Sequence, residues 1–170
     1  MIYRVKIRFW MVIICIANIY GFEAKKNSIV GIWQIPEEIE GQISIGEIFV
    51  KDDKAYAYAF EYAINDNGEL KYRDINKENS DASKLKNKIF LANLKWNGKE
   101  WTTGKIYRPS TGGIYAVNAR LIDENTLSLR ISYDRWGFLG KTLIWNRLNK
   151  TKYKLPDRKS IKIIDALKEY

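Results

Sequence analysis

The chain has 170 residues, a formal net charge of +9, 46% hydrophobic and 14% aromatic residues, a single cysteine and no histidine. Without histidine there is no Ser-His-Asp or Cys-His nucleophile, no imidazole base and little basis for a zinc site. Carboxylate, lysine or tyrosine chemistry would remain, but Asp52-Asp53, Asp123-Glu124 and Glu37-Glu38 with Glu40 fall at turns or loops, where exposed charge is the default, so the chain is expected to be non-catalytic, with no metal or cofactor.

The first segment is read as a targeting signal. Arg4, Lys6 and Arg8 precede a mostly apolar run from Phe9 to Tyr20, which is short for a membrane span and is followed at once by polar sequence. Gly21 suggests cleavage before Phe22, with a cut near Ala24 as the alternative and a retained anchor as the competing reading. Val12-Ile13-Ile14 ahead of Cys15 lack the small residues of a lipid-attachment box. Removal of residues 1–21 leaves a single domain, 22–170, with no cysteine, and takes away Arg4, Lys6 and Arg8, so the net charge falls from +9 to +6. The expected location is the periplasm or outside the cell. Nucleic acid is then an unlikely partner, no stable membrane span is expected after signal removal, and an anionic envelope component is the partner that a basic surface would favour. A merely solvated lysine-rich surface is the alternative.

Beyond that segment, runs of period-two alternation are separated by turn residues, the pattern of an antiparallel meander. Strands are expected near 29–35, 43–51, 54–63, 69–73, 88–95, 99–107, 113–121, 125–134 and 140–148. Turns fall at Asp52-Asp53, Asn65 to Gly68, Asn97-Gly98, Pro109 to Gly113 and Asp123 to Asn125, and the polar stretch from Asp74 to Asn87 is the one long loop. Ile161, Ile164 and Leu167 recur at helical spacing behind Ser160, which predicts a closing helix over about 157–169. That helix either packs on the sheet or, through Arg158, Lys159, Lys162 and Lys168, lies on a membrane surface.

Such a meander of about eight to nine strands is expected to close into an all-β, up-and-down barrel. Gly31-Ile32-Trp33 on the first strand and Trp145-Asn146-Arg147 on the last would then meet at the seam, where the Arg147 guanidinium can stack on the Trp33 indole. In the hairpin around Asp123 to Asn125, the row Tyr115, Val117, Ala119, Leu121 and the row Leu127, Leu129, Ile131, Tyr133 should face inward, leaving Arg120 and Arg130 outside. Strand 54–63 is ambiguous, because Tyr56, Tyr58, Phe60 and Tyr62 alternate with Ala55, Ala57 and Ala59. An exposed row of four rings would be an unusual apolar patch, which favours aromatics inside and alanines out. Glu47 points inward if Ile43, Ile45 and Phe49 do, and outward if Ile48 and Val50 are the inner residues.

Several segments also resemble an uncharacterised bacterial family of small exported proteins with a lipocalin-like barrel. These are Gly104-Lys105-Ile106-Tyr107-Arg108-Pro109, Gly112-Gly113-Ile114-Tyr115, Leu127-Ser128-Leu129-Arg130 and Gly140 to Arg147, with Gly31-Ile32-Trp33 and Asp74-Ile75-Asn76 earlier in the chain. Arg108, Ser132 and Lys77 depart from the family pattern. The resemblance implies a calycin-type barrel and makes Gly31, Trp33, Trp145 and Arg147 its structural signature. It implies no catalytic residue.

Two functions follow as expectations. One is a binding protein that holds a small, largely hydrophobic ligand, lipid-like or aromatic, inside the barrel, with Tyr56, Tyr58, Phe60, Tyr115, Leu129, Tyr133 and Glu47 as ligand-binding residues. The other is an interaction module with a filled barrel that docks a protein or an anionic envelope component through a basic, aromatic exterior.

Overall fold

The computed structural model describes residues 22–37, 41–74, 81–134 and 137–170, with backbone alone at 81 and 82. The signal segment 1–21, the Ile75-Asn76-Lys77 stretch and the acids Glu38 and Glu40 lie outside the described residues.

Among the described residues, ten strands form one continuous sheet. They are β1 (Gly31–Pro36), β2 (Gln42–Lys51), β3 (Lys54–Asp66), β4 (Glu69–Arg73), β5 (Lys88–Trp96), β6 (Trp101–Arg108), β7 (Gly113–Leu121), β8 (Thr126–Ser132), β9 (Gly140–Leu148) and β10 (Lys162–Ile163). Eight of them close a barrel in which neighbours run antiparallel: β9 pairs with β1 at the seam, and β3 pairs directly with β5. β4 folds back along the long β3 as a flap outside the ring, and a short helix, α1 (Asp81–Leu85), interrupts the β4–β5 connection.

Side-chain alternation sends one row of every barrel strand inward. The interior holds Trp33 and Ile35 from β1, Ile48 from β2, Leu91 and Leu94 from β5, Trp101 from β6, Val117 and Ala119 from β7, Leu127 and Leu129 from β8, and Trp145 from β9. β3 contributes Ala55, Ala57 and Ala59 to this core. The inward-aromatic reading of β3 is therefore corrected: small residues face the axis and leave room for three tryptophans. Gly46 on β2 follows the same logic, since a Cβ there would meet the Tyr58 carbonyl oxygen at 2.7 Å and Ile35 Cδ1 at 2.6 Å. For Glu47, the inner residues are Ile48 and Val50, so the carboxylate is on the outer face.

The outer rings are not left in water, and that removes the premise behind the inward reading. After β9 the chain runs back along the outer wall as an extended strap. It places Tyr153 and Leu155 in a second apolar cluster with Ile32, Ile43, Ile45, Phe60, Leu70 and Leu148. The expected closing helix is absent. Residues 150–170 instead form three short 3-10 turns, at Lys150–Lys152, Arg158–Ser160 and Asp165–Leu167, separated by extended chain. Asn149 and Asp157 cap the first two turns by accepting bonds from the Thr151 and Lys159 amides. Between the last two turns, the β-branched Ile161, Ile163 and Ile164 accompany an extended segment in which β10 pairs in parallel with the start of β5. The apolar spacing that suggested a helical stripe still buries Leu167, but on a 3-10 turn.

One end of the barrel is stoppered. Residues before β1 fold over it: Ile29 is fully buried, Trp33 Nε1 donates to the Ile29 carbonyl at 3.0 Å, and Trp101 Nε1 donates to the Lys26 carbonyl at 3.2 Å. Arg147 secures this stopper. Its guanidinium donates to the carbonyls of Ser28, Val30 and Glu124 at 2.5, 2.8 and 2.7 Å. The opposite end, where β1, β6 and β8 finish and β2, β5 and β9 begin, carries the barrel's mouth.

Candidate binding site at the barrel mouth

At the mouth the strand ends splay around a half-open apolar cup of about 70 Å³. Its walls are Ile35, Phe90, Ile106, Ile131 and Leu143, with Leu85 of α1 at the side, while Glu37, Ser44, Arg108 and Lys141 contribute the polar groups. The short helix α1 brings Leu85 to the rim, and the leucine is buried there. Trp145 also lines the cup. Its indole is fully buried, yet among the described residues its N–H has no hydrogen-bond partner, a condition shared only with Gln42 Oε1. An unpartnered buried donor costs about 1–3 kcal/mol, so an acceptor brought in by a ligand would recover that energy.

The cup is small. Pockets that enclose a drug-sized molecule run to roughly 300 Å³ or more, so this one takes a ring edge or a chain end and leaves the rest of the ligand outside. Below it, Trp33, Trp101 and Trp145 are all fully buried and occupy the body of the barrel.

The residues expected to bind ligand divide among three places. Leu129 is fully buried in the interior core. Tyr115 and Tyr133 meet near the mouth, with ring centroids 5.4 Å apart, and Arg108 lies over both at 5.7 and 5.5 Å. Arg108 also donates to the Tyr133 hydroxyl at 2.9 Å. Tyr133 follows the end of β8 and is 44% exposed, so it leaves the inward row that Leu127, Leu129 and Ile131 keep. Arg120 and Arg130 are outside as expected; Arg130 turns back to bond the Gly137 and Phe138 carbonyls at 3.5 and 3.2 Å.

Tyr56, Tyr58, Phe60 and Glu47 occupy the outer wall. Phe49 stacks on Tyr56 at 5.6 Å, and Tyr58 is fully buried by the strap. The Tyr58 hydroxyl donates to Glu47 Oε2 at 2.5 Å, and Arg158 of the strap donates to Glu47 Oε1 at 2.8 Å. The Arg158 guanidinium also lies 4.3 Å from the Phe49 ring centroid. Burial, followed by the bond to Glu47, pushes the Tyr58 phenol well above its ordinary value. The arrangement latches the strap to the wall, since each Glu47 oxygen is matched, one by Tyr58 and the other by Arg158.

Trp145 as a lining residue with a free donor was missed by sequence reasoning, which assigned it to structure alone. Nothing in the sequence separates a paired indole from an unpaired one. Lys141, Leu143 and Phe90 were missed as well: β9 alternates weakly, and the turn of β5 at the rim depends on α1.

This geometry can be set beside known proteins. Residues 24–147 match the family described as "Uncharacterized protein conserved in bacteria (DUF2147)". The chain belongs to that family. Among solved structures, this DUF2147 protein is similar to protein HP1028 from the human pathogen Helicobacter pylori, described as belonging to the lipocalin family. The identity is 28%, the TM-score is 0.58, and the match covers 78% of this chain and 94% of that one. No curated protein matches the chain. The likeness agrees with the eight-strand barrel, and a lipocalin-like barrel suggests a binding protein.

Proposed function

We propose that this DUF2147 protein is an exported, non-catalytic binding protein that grips a small, largely hydrophobic ligand, lipid-like or aromatic, by one end at the barrel mouth. The observation that carries this reading is the apolar cup lined by a buried tryptophan whose N–H has no partner among the described residues. Apolar walls would supply affinity by removing surface from water, and the Trp145 N–H would select a ligand with one acceptor atom near its buried end. Lys141 and Arg108 at the rim would favour an anionic remainder. Export rests on residues 1–21 as a cleavable signal, and the intact mass of the protein recovered from its host measures whether the chain begins near Phe22.

The filled body of the barrel favours a second reading, in which the outside docks an envelope component and nothing enters the mouth. Displacement of an environment-sensitive apolar dye by fatty acids separates the two. Leu143→Trp should fill the cup and abolish dye binding while the protein stays folded, and Tyr56→Ala on the outer wall should leave it unchanged. Undiminished dye binding by folded Leu143→Trp would remove the mouth as the site.

A further inference from the structure

We propose that Phe138 and Leu139, in the β8–β9 connection, form with Tyr133 a membrane-contact element that seats the barrel mouth on an anionic lipid surface. Vesicle binding needs no occupied cup, so the inference stands apart from the ligand reading.

Phe138 is 81% exposed and Leu139 is 67% exposed, the two most exposed large apolar side chains among the described residues. They are adjacent in the chain, and their own backbone groups are paired. The Asp134 carboxylate accepts from the Phe138 and Leu139 amides at 3.2 and 2.8 Å, Tyr133 N–H donates to the Leu139 carbonyl at 2.8 Å, and Arg130 donates to the Phe138 carbonyl at 3.2 Å. Apolar side chains whose backbone groups are already paired can enter a headgroup region without stripping water from unpaired backbone. Holding the Phe138 and Leu139 backbone in place also lowers the entropy lost on contact.

The surroundings favour anionic lipid over other apolar partners. Lys141 is exposed two residues after Leu139, Arg130 lies behind the loop, and Arg108 stacks on the 44% exposed Tyr133. The loop's own acid, Asp134, faces the amides of Phe138 and Leu139. Apolar tips ringed by cations and an amphipathic aromatic match the layering of a bilayer surface, with chains below and phosphates above. The same cations oppose docking of a second copy of a chain whose net charge without residues 1–21 is still +6 (9 − 3). Because Ile131 and Lys141 at the two ends of this loop line the cup, contact through the loop brings the mouth to the membrane.

The test is co-sedimentation of the protein, as processed by its host, with vesicles of phosphatidylcholine and of phosphatidylcholine mixed with phosphatidylglycerol. Binding should be stronger to the mixed vesicles and should weaken with salt. The Phe138→Ser, Leu139→Ser double variant should bind on the order of tenfold more weakly. Lys141→Glu should cost about fivefold or more. In a parallel measurement, Phe138→Trp should gain fluorescence that brominated lipid chains quench beyond the quenching of the parent protein. Three results would overturn the proposal: undiminished binding by the folded double variant, equal binding to both vesicle types, or a parent that ignores vesicles and instead forms a dimer that the double variant cannot form.

Discussion

Arg147 lies over the indole of Trp33, 4.2 Å from the ring centroid, and the two residues are direct cross-strand partners at the β1–β9 seam. Burial holds the Arg147 guanidinium somewhat below its ordinary value, while its donors reach three carbonyls of the stopper and the β7–β8 turn. Gly31 completes the arrangement, because a Cβ there would overlap Arg147 Nη1. Trp33→Ala should cost about 3–5 kcal/mol by opening a cavity in the core. Arg147→Ala should cost less, about 1–3 kcal/mol, because part of the side chain remains in water and the freed carbonyls can hydrate. Gly31→Ala should displace the guanidinium and lower the melting temperature as Arg147→Ala does. Thermal unfolding of the three variants checks the order. An unchanged melting temperature for Trp33→Ala would show that the seam is not where stability resides.

A second latch is the Glu47–Arg158 pair. Glu47 is 4% exposed at its side chain and Arg158 is 49% exposed, so the pair is half-screened and its loss is felt mainly by the carboxylate left beneath the strap. Arg158→Ala should cost about 1–3 kcal/mol, and Glu47→Gln should cost less, since the amide still fills the site and can accept from Tyr58. Hydrogen exchange reads the difference locally. In Arg158→Ala the amides of β10 and of the last 3-10 turn should exchange faster, while those of β7 and β8 keep their protection.

The phenols of buried Tyr58 and half-buried Tyr153 predict an alkaline limit to stability. Burial raises both Tyr58 and Tyr153 well above 10.0, the Tyr58 phenol then by Glu47 and the Tyr153 phenol then by the Tyr72 hydroxyl. Each folded phenol keeps its proton when the unfolded chain has already lost it, so the unfolded state binds fewer protons above about pH 10. The stabilisation is complete below that value and is lost as pH rises toward the folded values. Denaturant unfolding between about pH 8 and about pH 11, a range that brackets the ordinary tyrosine value, should show stability falling at the upper end. Tyr153→Phe should flatten the fall without abolishing it, since Tyr58 still contributes. A slope unchanged in both Tyr153→Phe and Tyr58→Phe would place its origin elsewhere.

The barrel was legible in the sequence because its strands alternate and its turns carry Asn, Asp and Gly. β7 and β8 are the clearest case: Val117, Ala119, Leu121, Leu127, Leu129 and Ile131 are all buried in the interior, as their alternation requires. The facing of β3 was not legible, because alanines and aromatics are both apolar and either row can fill an interior. What decides it lies far along the chain, where Tyr153, Leu155 and Arg158 cover the aromatic row. The strap was hidden for a related reason. Ile161, Ile164 and Leu167 satisfy a helical period, yet parallel pairing with Lys88 and Ile89 competes for the same segment, and no local pattern weighs those two outcomes. Trp145 illustrates the limit at the site itself, since an unpaired N–H is a property of the packed barrel and not of its residue type.

The mouth of the barrel is the proposed place where a ligand is held, and the indole N–H of Trp145 is its most direct reporter. In a proton–nitrogen correlation spectrum of the labelled protein, titration with a fatty acid bearing a hydroxyl at the far end of its chain, whose carboxylate stays at the rim while the hydroxyl oxygen enters the cup, should move the Trp145 indole resonance downfield as its N–H gains an acceptor, with backbone shifts at Ile35, Ile106, Ile131 and Leu143. Trp33 and Trp101, whose N–H groups already donate to the Ile29 and Lys26 carbonyls, should hold their positions. A saturable ligand that leaves the Trp145 indole unmoved and instead shifts Tyr56, Phe60 and the strap would contradict the account and place binding on the outer wall.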